Sequence, residues 1–278
     1  MLRCLNPGHI HVTVDSLENM IDFCRIGGFD CIALSPKIVS EMPADEFKAE
    51  MFESHVAPGA WGLPVNWRGS EDDFKASLAD FPAQCALMQA VGVTRCATWI
   101  MPGSNDMDTA EYRKLHIDRL TPVAKVLADH GMSFGMEFIG PKTLRDALKY
   151  PFIYKMEDML DLGAEMGDNV GLLVDAFHLY TSGGQMSDLA KVPAEKIVLV
   201  HINDAKEGRT ADEQIDGERE LPCTTGVIPI GEFMAALRST GYQGPVEAEP
   251  FDASLKSLGN DSDRVRKTGE AVSRAFRA

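Results

Sequence analysis

No apolar run in this chain approaches the ~20 residues needed to cross a bilayer. The N-terminal stretch MLRCLNPGHIHV also lacks the long apolar segment and small-residue cleavage site of a secretory signal, so the cytoplasm is the expected location. The six cysteines include no CxxC pair; buried free thiols in a reducing compartment are expected, rather than a disulfide framework or zinc knuckle. Basic charge is scarce: 27 Lys and Arg stand against 42 Asp and Glu, a net charge of −15. Such a surface repels polyanions and anionic membranes, which argues against nucleic-acid and membrane partners and favours a small neutral ligand. There is no Walker-type glycine-rich turn to cradle phosphate, and the expected ligand is therefore unphosphorylated. Internal repeats, low-complexity tracts and Pro/Ser-rich linkers are absent as well, so one domain spanning residues 1–278 is expected.

What is present is alternation. Eight short runs rich in β-branched or aromatic residues lie at Leu2 to Leu5, Cys31 to Leu34, Ala60 to Val65, Arg95 to Met101, Phe134 to Ile139, Gly171 to Asp175, Ile197 to Ile202 and Val246 to Phe251. Most are followed by apolar residues at helical spacing. Eight βα units close a parallel (β/α)8 barrel, and 278 residues is an ordinary length for one. Helix punctuation agrees. Asp15 and Glu18 have the spacing of a capping box before a helix from Ser16 to Ile26, with Gly27 and Gly28 at its end. A second amphipathic stretch, Leu120 to His130, stops at Gly131 before the fifth run. The longest polar connection, Asp204 to Thr225, carries seven acidic and three basic residues and has the length of a lid or binding segment.

Four of the runs end in an acid or an imidazole: Glu137 in GMEFIG, Asp175 in GLLVDAFH, His201 in IVLVHIND and Glu249 in GPVEAEPF. Carboxylates at the ends of inner strands are costly to bury unless paired or bound to a cation. In a parallel barrel those strand ends share one rim, the face that carries the chemistry. Taken singly, each residue also suits a cap or a hydrogen-bonded core position; taken together, they form a divalent metal site. Glu247 and Glu249 are two apart and face the same side of a strand. Glu249, nearer the rim, is the expected ligand, and Glu247 an outer partner or salt-bridged group. Asp204, three residues after His201, either orients the imidazole or caps the following segment. Lys142, after the fifth run, either meets an anionic or keto oxygen or is solvated. His9, His11, Trp61 and Trp67 are candidates to line the pocket, with packing the simpler role for Trp61.

The segments EFIGPKTLR, LLVDAFHLYTSGG, VHINDA, RELP and GYQGPVEAEPF together resemble the xylose isomerase-like barrel group, from about Leu2 to Phe251. That group includes ketose epimerases, hydroxypyruvate isomerase and inosose dehydratase. The resemblance implies one divalent cation held by Glu137, Asp175, His201 and Glu249. It further implies that His178 touches a substrate oxygen and that Arg219 clamps a substrate hydroxyl or carbonyl. Two departures stand out. Cys223 follows Leu221-Pro222 where the group commonly has Gly, and Thr181-Ser182-Gly183-Gly184 replaces the acidic tract usual in ketose epimerases.

Three oxygen donors and one imidazole suit Mn²⁺ first, with Mg²⁺, Co²⁺ and Zn²⁺ as alternatives. A cation there stabilises the charge that develops when a carbon beside a carbonyl loses a proton, giving an enediolate. Glu137 and Glu249 are the expected catalytic pair, one removing the proton and the other returning it. The expected activity is a metal-dependent isomerase or epimerase of a small keto sugar or cyclitol. The alternative is a dehydratase or β-eliminating lyase on a keto sugar, inosose or 3-keto-glycoside, a carbon–oxygen lyase that shares the first step. A trizinc endonuclease of the same barrel type needs more histidine ligands and a basic DNA face, and seven histidines with a charge of −15 argue against it. A noncatalytic scaffold would leave the four ligands unexplained. Symmetry priors favour a homo-oligomer.

Overall fold

The computed structural model describes residues 1–278, the whole chain. The strands that build the barrel are β1 (Leu2–Leu5), β2 (Cys31–Ile32), β3 (two segments, Ala57–Pro58 and Trp61–Gly62), β4 (Arg95–Ile100), β5 (Ser133–Phe138), β6 (Val170–Asp175), β7 (Ile197–Ile202) and β8 (Pro245–Ala248). All pairings among them are parallel, and β1 meets both β2 and β8. The two segments of β3 are what close the ring. Ala57–Pro58 pairs with β2, whereas Trp61–Gly62 pairs with β4. Between them, Gly59 N–H donates to Ile32 O (2.8 Å) and Ala60 O accepts from Leu34 N–H (3.1 Å). A Cβ at Gly59 would lie 2.7 Å from Ile32 O and 2.8 Å from Cys4 Sγ, so only glycine allows this crossing.

The expected runs and the strands therefore agree in number and order, with differences at their ends. The third run is displaced towards the N-terminus because the chain kinks at Gly59. The eighth strand stops at Ala248, since Pro250 has no N–H for the ladder and Phe251 adopts φ 44°. Glu249 accordingly stands one residue beyond β8, on the rim. The first helix runs Leu17–Gly27, and its cap is Ser16, whose hydroxyl accepts from Asn19 N–H (3.2 Å), rather than the expected Asp15. Gly28 ends it at φ 67°. The stretch expected from Leu120 belongs to a longer helix, Thr109–Asp129, opened by a true capping box of Asp108 and Glu111. Pro122 inside that helix conceals its first half from a reading by pattern. No helix is long and apolar enough to cross a membrane.

Most of the apolar core lies between the sheet and its helices. A separate set of Ala60, Ala97, Leu173 and Leu199 packs inside the barrel, one residue each from β4, β6 and β7 with Ala60 from the β3 kink. This set lies beneath the rim: Leu173 and Leu199 are two residues before Asp175 and His201 on the same strand face.

Outside the barrel, His116 on the Thr109–Asp129 helix stacks on Phe152 (centroids 5.0 Å apart, 22°), with Tyr112 and Trp67 around it. Its Nδ1 lies 2.7 Å from Tyr112 O, which makes Nδ1–H the donor. Burial lowers its pKa to about 4, with Arg68 adding to the effect. The unfolded chain, with an ordinary imidazole near ~6.5, takes up the proton first. The stability this neutral group contributes is therefore present above the unfolded pKa and is lost as pH falls towards the folded one. Between pH 7 and pH 5 the protein should lose about 2 kcal/mol more stability in urea denaturation than its His116→Phe variant. Equal losses in the two proteins would show that the ring titrates normally.

Candidate active site

Period-two alternation turns Glu137, Asp175, His201, Glu247 and Glu249 towards the barrel interior. Register then sets their levels: His201 is opposite Asp175 on β6 and opposite Glu247 on β8. From His201 Nδ1, Glu249 Oε2 lies at 3.4 Å, Glu137 Oε1 at 3.6 Å and Asp175 Oδ2 at 3.9 Å. One ligand atom from each of these four residues lies within 4.8 Å of the others. Metal–ligand bonds of about 2.1 Å place octahedral neighbours roughly 3 to 4.2 Å apart, so the spacing fits a divalent ion. Glu137 Oε1 and both ring nitrogens of His201 are buried without a hydrogen-bond partner. Three carboxylates and one imidazole are a hard, oxygen-rich set, and with Glu137 and His201 unpartnered and Asp175 and Glu249 beside them the four residues fit such an ion.

The electrostatics reflect crowding of like charges. Burial, reinforced by Glu249 and Asp175, raises Glu137 to about 8. Burial also pushes Glu249 upward, but His201, His9 and Arg219 outweigh it and hold Glu249 well below the usual carboxylate range.

Asp175 serves two purposes. Its Oδ1 caps the Ala176–Thr181 helix by accepting from Phe177 N–H (2.6 Å), and its Oδ2 accepts from Asn203 (2.8 Å) and Arg219 (2.9 Å). Glu247 stands behind the imidazole. Its Oε2 is 3.6 Å from His201 Nε2, accepts from Asn6 Nδ2 (3.0 Å) and is 3.7 Å from His9 Nδ1. At 3.6 Å this is a charge contact with the ring, not a hydrogen bond that holds it.

Arg219 is 1% exposed and joins the cluster from the loop after β7. It donates to Asp175 Oδ2 (2.9 Å), Glu249 Oε2 (2.7 Å) and Asp216 Oδ1 (2.8 Å), between the rings of Phe177 and Phe251. His178 lies against it, Nε2 to Nη2 at 3.1 Å, while Nδ1 faces Gly140 N–H at 3.2 Å. A neutral imidazole has one ring lone pair, so only one of those contacts is a hydrogen bond. With Gly140 as the donor, Nε2 carries the proton and faces Glu137 Oε1 and Asp216 Oδ1, each 3.7 Å away. The structure thus brings His178 and Arg219 to the carboxylates, but behind them rather than on the cavity wall.

For two residues the structure selects the plainer alternative and removes the site role. Lys142 opens the four-residue helix Lys142–Arg145 directly after Pro141, points outward and pairs with Asp146 one turn on, away from the cluster. Asp204 does not orient His201. Its carboxylate accepts from the backbone N–H groups of Ala205, Thr224, Thr225, Gly226 and Ile228, at 2.8 to 3.0 Å. It is the internal anion that folds the long loop back on itself and so delivers Arg219. Asn203 was not expected: its amide donates to Asp175 and its oxygen accepts from Glu249 N–H (2.8 Å), tying two of the four residues together. The alternation in IVLVHIND, which turns His201 inward, turns Asn203 inward as well and was the available signal.

The cluster borders a cavity of about 550 Å³ bounded by Asn6, His9, Leu34, Trp61, Trp99, Glu137, His201 and Glu249, among others. A family profile described as "Xylose isomerase-like TIM barrel" matches residues 21–275. The chain belongs to that family. Among curated relatives, an inosose isomerase of Halalkalibacterium halodurans is 23% identical over 274 residues, covering 94% of this chain and 93% of its own. Among solved structures, a xylose isomerase domain protein from Alicyclobacillus acidocaldarius superposes with a TM-score of 0.86 at 29% identity, covering 99% and 98% of the two chains. The IolI protein with a bound zinc atom superposes at 0.78 and 20% identity, again over 99% and 98%. The last of these likenesses establishes the shared fold.

Proposed function

We propose that this member of the family is a divalent-cation-dependent isomerase or epimerase of a small keto sugar or cyclitol. The observation that carries the reading is the convergence of Glu137, Asp175, His201 and Glu249, with ligand atoms within 4.8 Å, at the edge of a cavity large enough for such a substrate. The likeness to a relative named inosose isomerase supports the same substrate class. Those four residues would hold the cation, Mn²⁺ as first choice, and when bound it supplies positive charge beside a carbonyl and its neighbouring hydroxyl.

The chain's own residues do the rest. Glu137 from β5 and Glu249 beyond β8 approach the substrate from different strands, so one carboxylate removes a proton from the carbon beside the carbonyl and the other returns it. Arg219 and Asn203 fix the orientation of Asp175 and Glu249, and Glu247 places a negative charge behind the His201 ring. No Lys or Arg borders the cavity, which disfavours a phosphorylated substrate.

The test is incubation of Mn²⁺-loaded protein with ketoses, inososes and 3-keto-glucosides in D₂O. The expected result is deuterium at a single carbon with the skeleton intact. Loss of water or of an aglycone would instead place the protein with the dehydratases and β-eliminating lyases. No exchange with any member of the panel would remove the proposal.

A further inference from the structure

The cavity is divided by chemistry. Its ionisable lining residues, His9, Glu137, His201, Glu247 and Glu249, come from β5, β7, β8 and the turn after β1. The side formed by β2 to β4 and the segments after β1 and β2 is uncharged apart from His9 and mostly apolar, with Val12, Leu34, Ile38, Trp61 and Trp99 beside Thr13, Ser35 and Thr98. Twelve of the 24 lining residues are hydrophobic.

Trp99 is the unusual member. It is 44% exposed although it stands on a central strand whose neighbours are buried, and register places it beside Glu137 of β5. One face of the indole is covered. The Arg68 guanidinium lies 3.6 Å from its ring centroid and 4.0 Å from that of Trp67, and Arg68 also donates to Trp99 O. A pre-positioned aromatic surface facing a cavity is what an apolar ring binds to at low entropic cost.

Size points the same way. A six-membered polyol ring has about twelve non-hydrogen atoms; even at the ~30 Å³ that each water takes in the liquid it fills roughly 360 Å³, and bonded atoms take less. The cavity of about 550 Å³ therefore holds that ring and a second one.

Resting on the keto-sugar reading above, we infer that the natural substrate carries an uncharged, ring-sized apolar group attached to its polyol ring, and that Trp99, with Ile38 and Leu34, forms the subsite for it. The polyol ring lies towards the carboxylates and the apolar group over the β2–β4 side. No Lys or Arg is among the residues that line the cavity, and the one cation against that wall, Arg68, is already stacked on Trp99 and Trp67.

The test is calorimetric titration of Mn²⁺-loaded protein with methyl glucoside and phenyl glucoside, neither of which has the carbonyl needed for turnover. The phenyl compound should bind about tenfold more tightly, the increment expected of a well-stacked ring. In Trp99→Ala the ratio of the two dissociation constants should fall close to one, and in Trp99→Phe it should be largely retained. A ratio near one in the unsubstituted protein, failure of the phenyl compound to bind, or a ratio unaffected by Trp99→Ala overturns the inference. Deuterium exchange with an unsubstituted inosose reports separately on the chemistry. Exchange without a phenyl preference sinks only the apolar subsite, and a Trp99-dependent phenyl preference without exchange sinks only the keto-sugar reaction.

Discussion

Glu137→Gln should lower turnover of the keto substrate by roughly 10³-fold, and Glu249→Gln by a similar factor, the range for loss of a positioned acid or base. Glutamine preserves the shape and one oxygen donor but cannot take up the proton. The loss should therefore fall mainly on kcat, with bound Mn²⁺ still measurable in the variant. Lys142→Ala, whose side chain points outward to Asp146, should keep nearly full activity and serves as the control. If either glutamine variant retained more than a tenth of the activity, its carboxylate would not be the proton carrier. Glu137 is buried on β5 beside His201 and His178, and Glu249 is held beyond β8 by Asn203 and Arg219.

The parts of this arrangement legible in the sequence are those governed by strand periodicity. Runs ending in Glu137, Asp175 and His201 reveal both the strand and the inward direction of its last polar residue. The place of Glu249 on the rim, above Glu247, also follows from its position before Pro250. Less legible is whatever depends on a loop's hydrogen bonds. Asp204 has the same spacing from His201 that a ring-orienting carboxylate would have, yet five backbone N–H groups in residues 205–228 claim it. Lys142 follows a strand end, but Pro141 starts a helix that turns it away. The closure at Gly59 is a matter of crowding against the Ile32 carbonyl and the Cys4 sulfur, on the two preceding strands, and no local pattern encodes it.

Arg219→Met should destabilise the protein by about 3–5 kcal/mol in urea denaturation with chelator present, because removing one partner of a buried ion pair leaves the other charges uncompensated. Here Asp175 Oδ2, Glu249 Oε2 and Asp216 Oδ1 all lose their guanidinium, and the first belongs to a side chain with no exposure at all. Methionine fills similar volume between Phe177 and Phe251, so loss of packing contributes little to the result. Excess Mn²⁺ should recover part of the loss, since a cation bound to the folded state offsets the same carboxylates. A change below about 1 kcal/mol would mean that Arg219 is not the principal counter-charge of the cluster.

The most direct test of the central claim is an anomalous difference map from crystals grown with Mn²⁺. A single strong peak per chain, within bonding distance of Glu137, Asp175, His201 and Glu249, is the predicted result. A map with no peak among those four residues, or with the ion held by a different set of side chains, would contradict it.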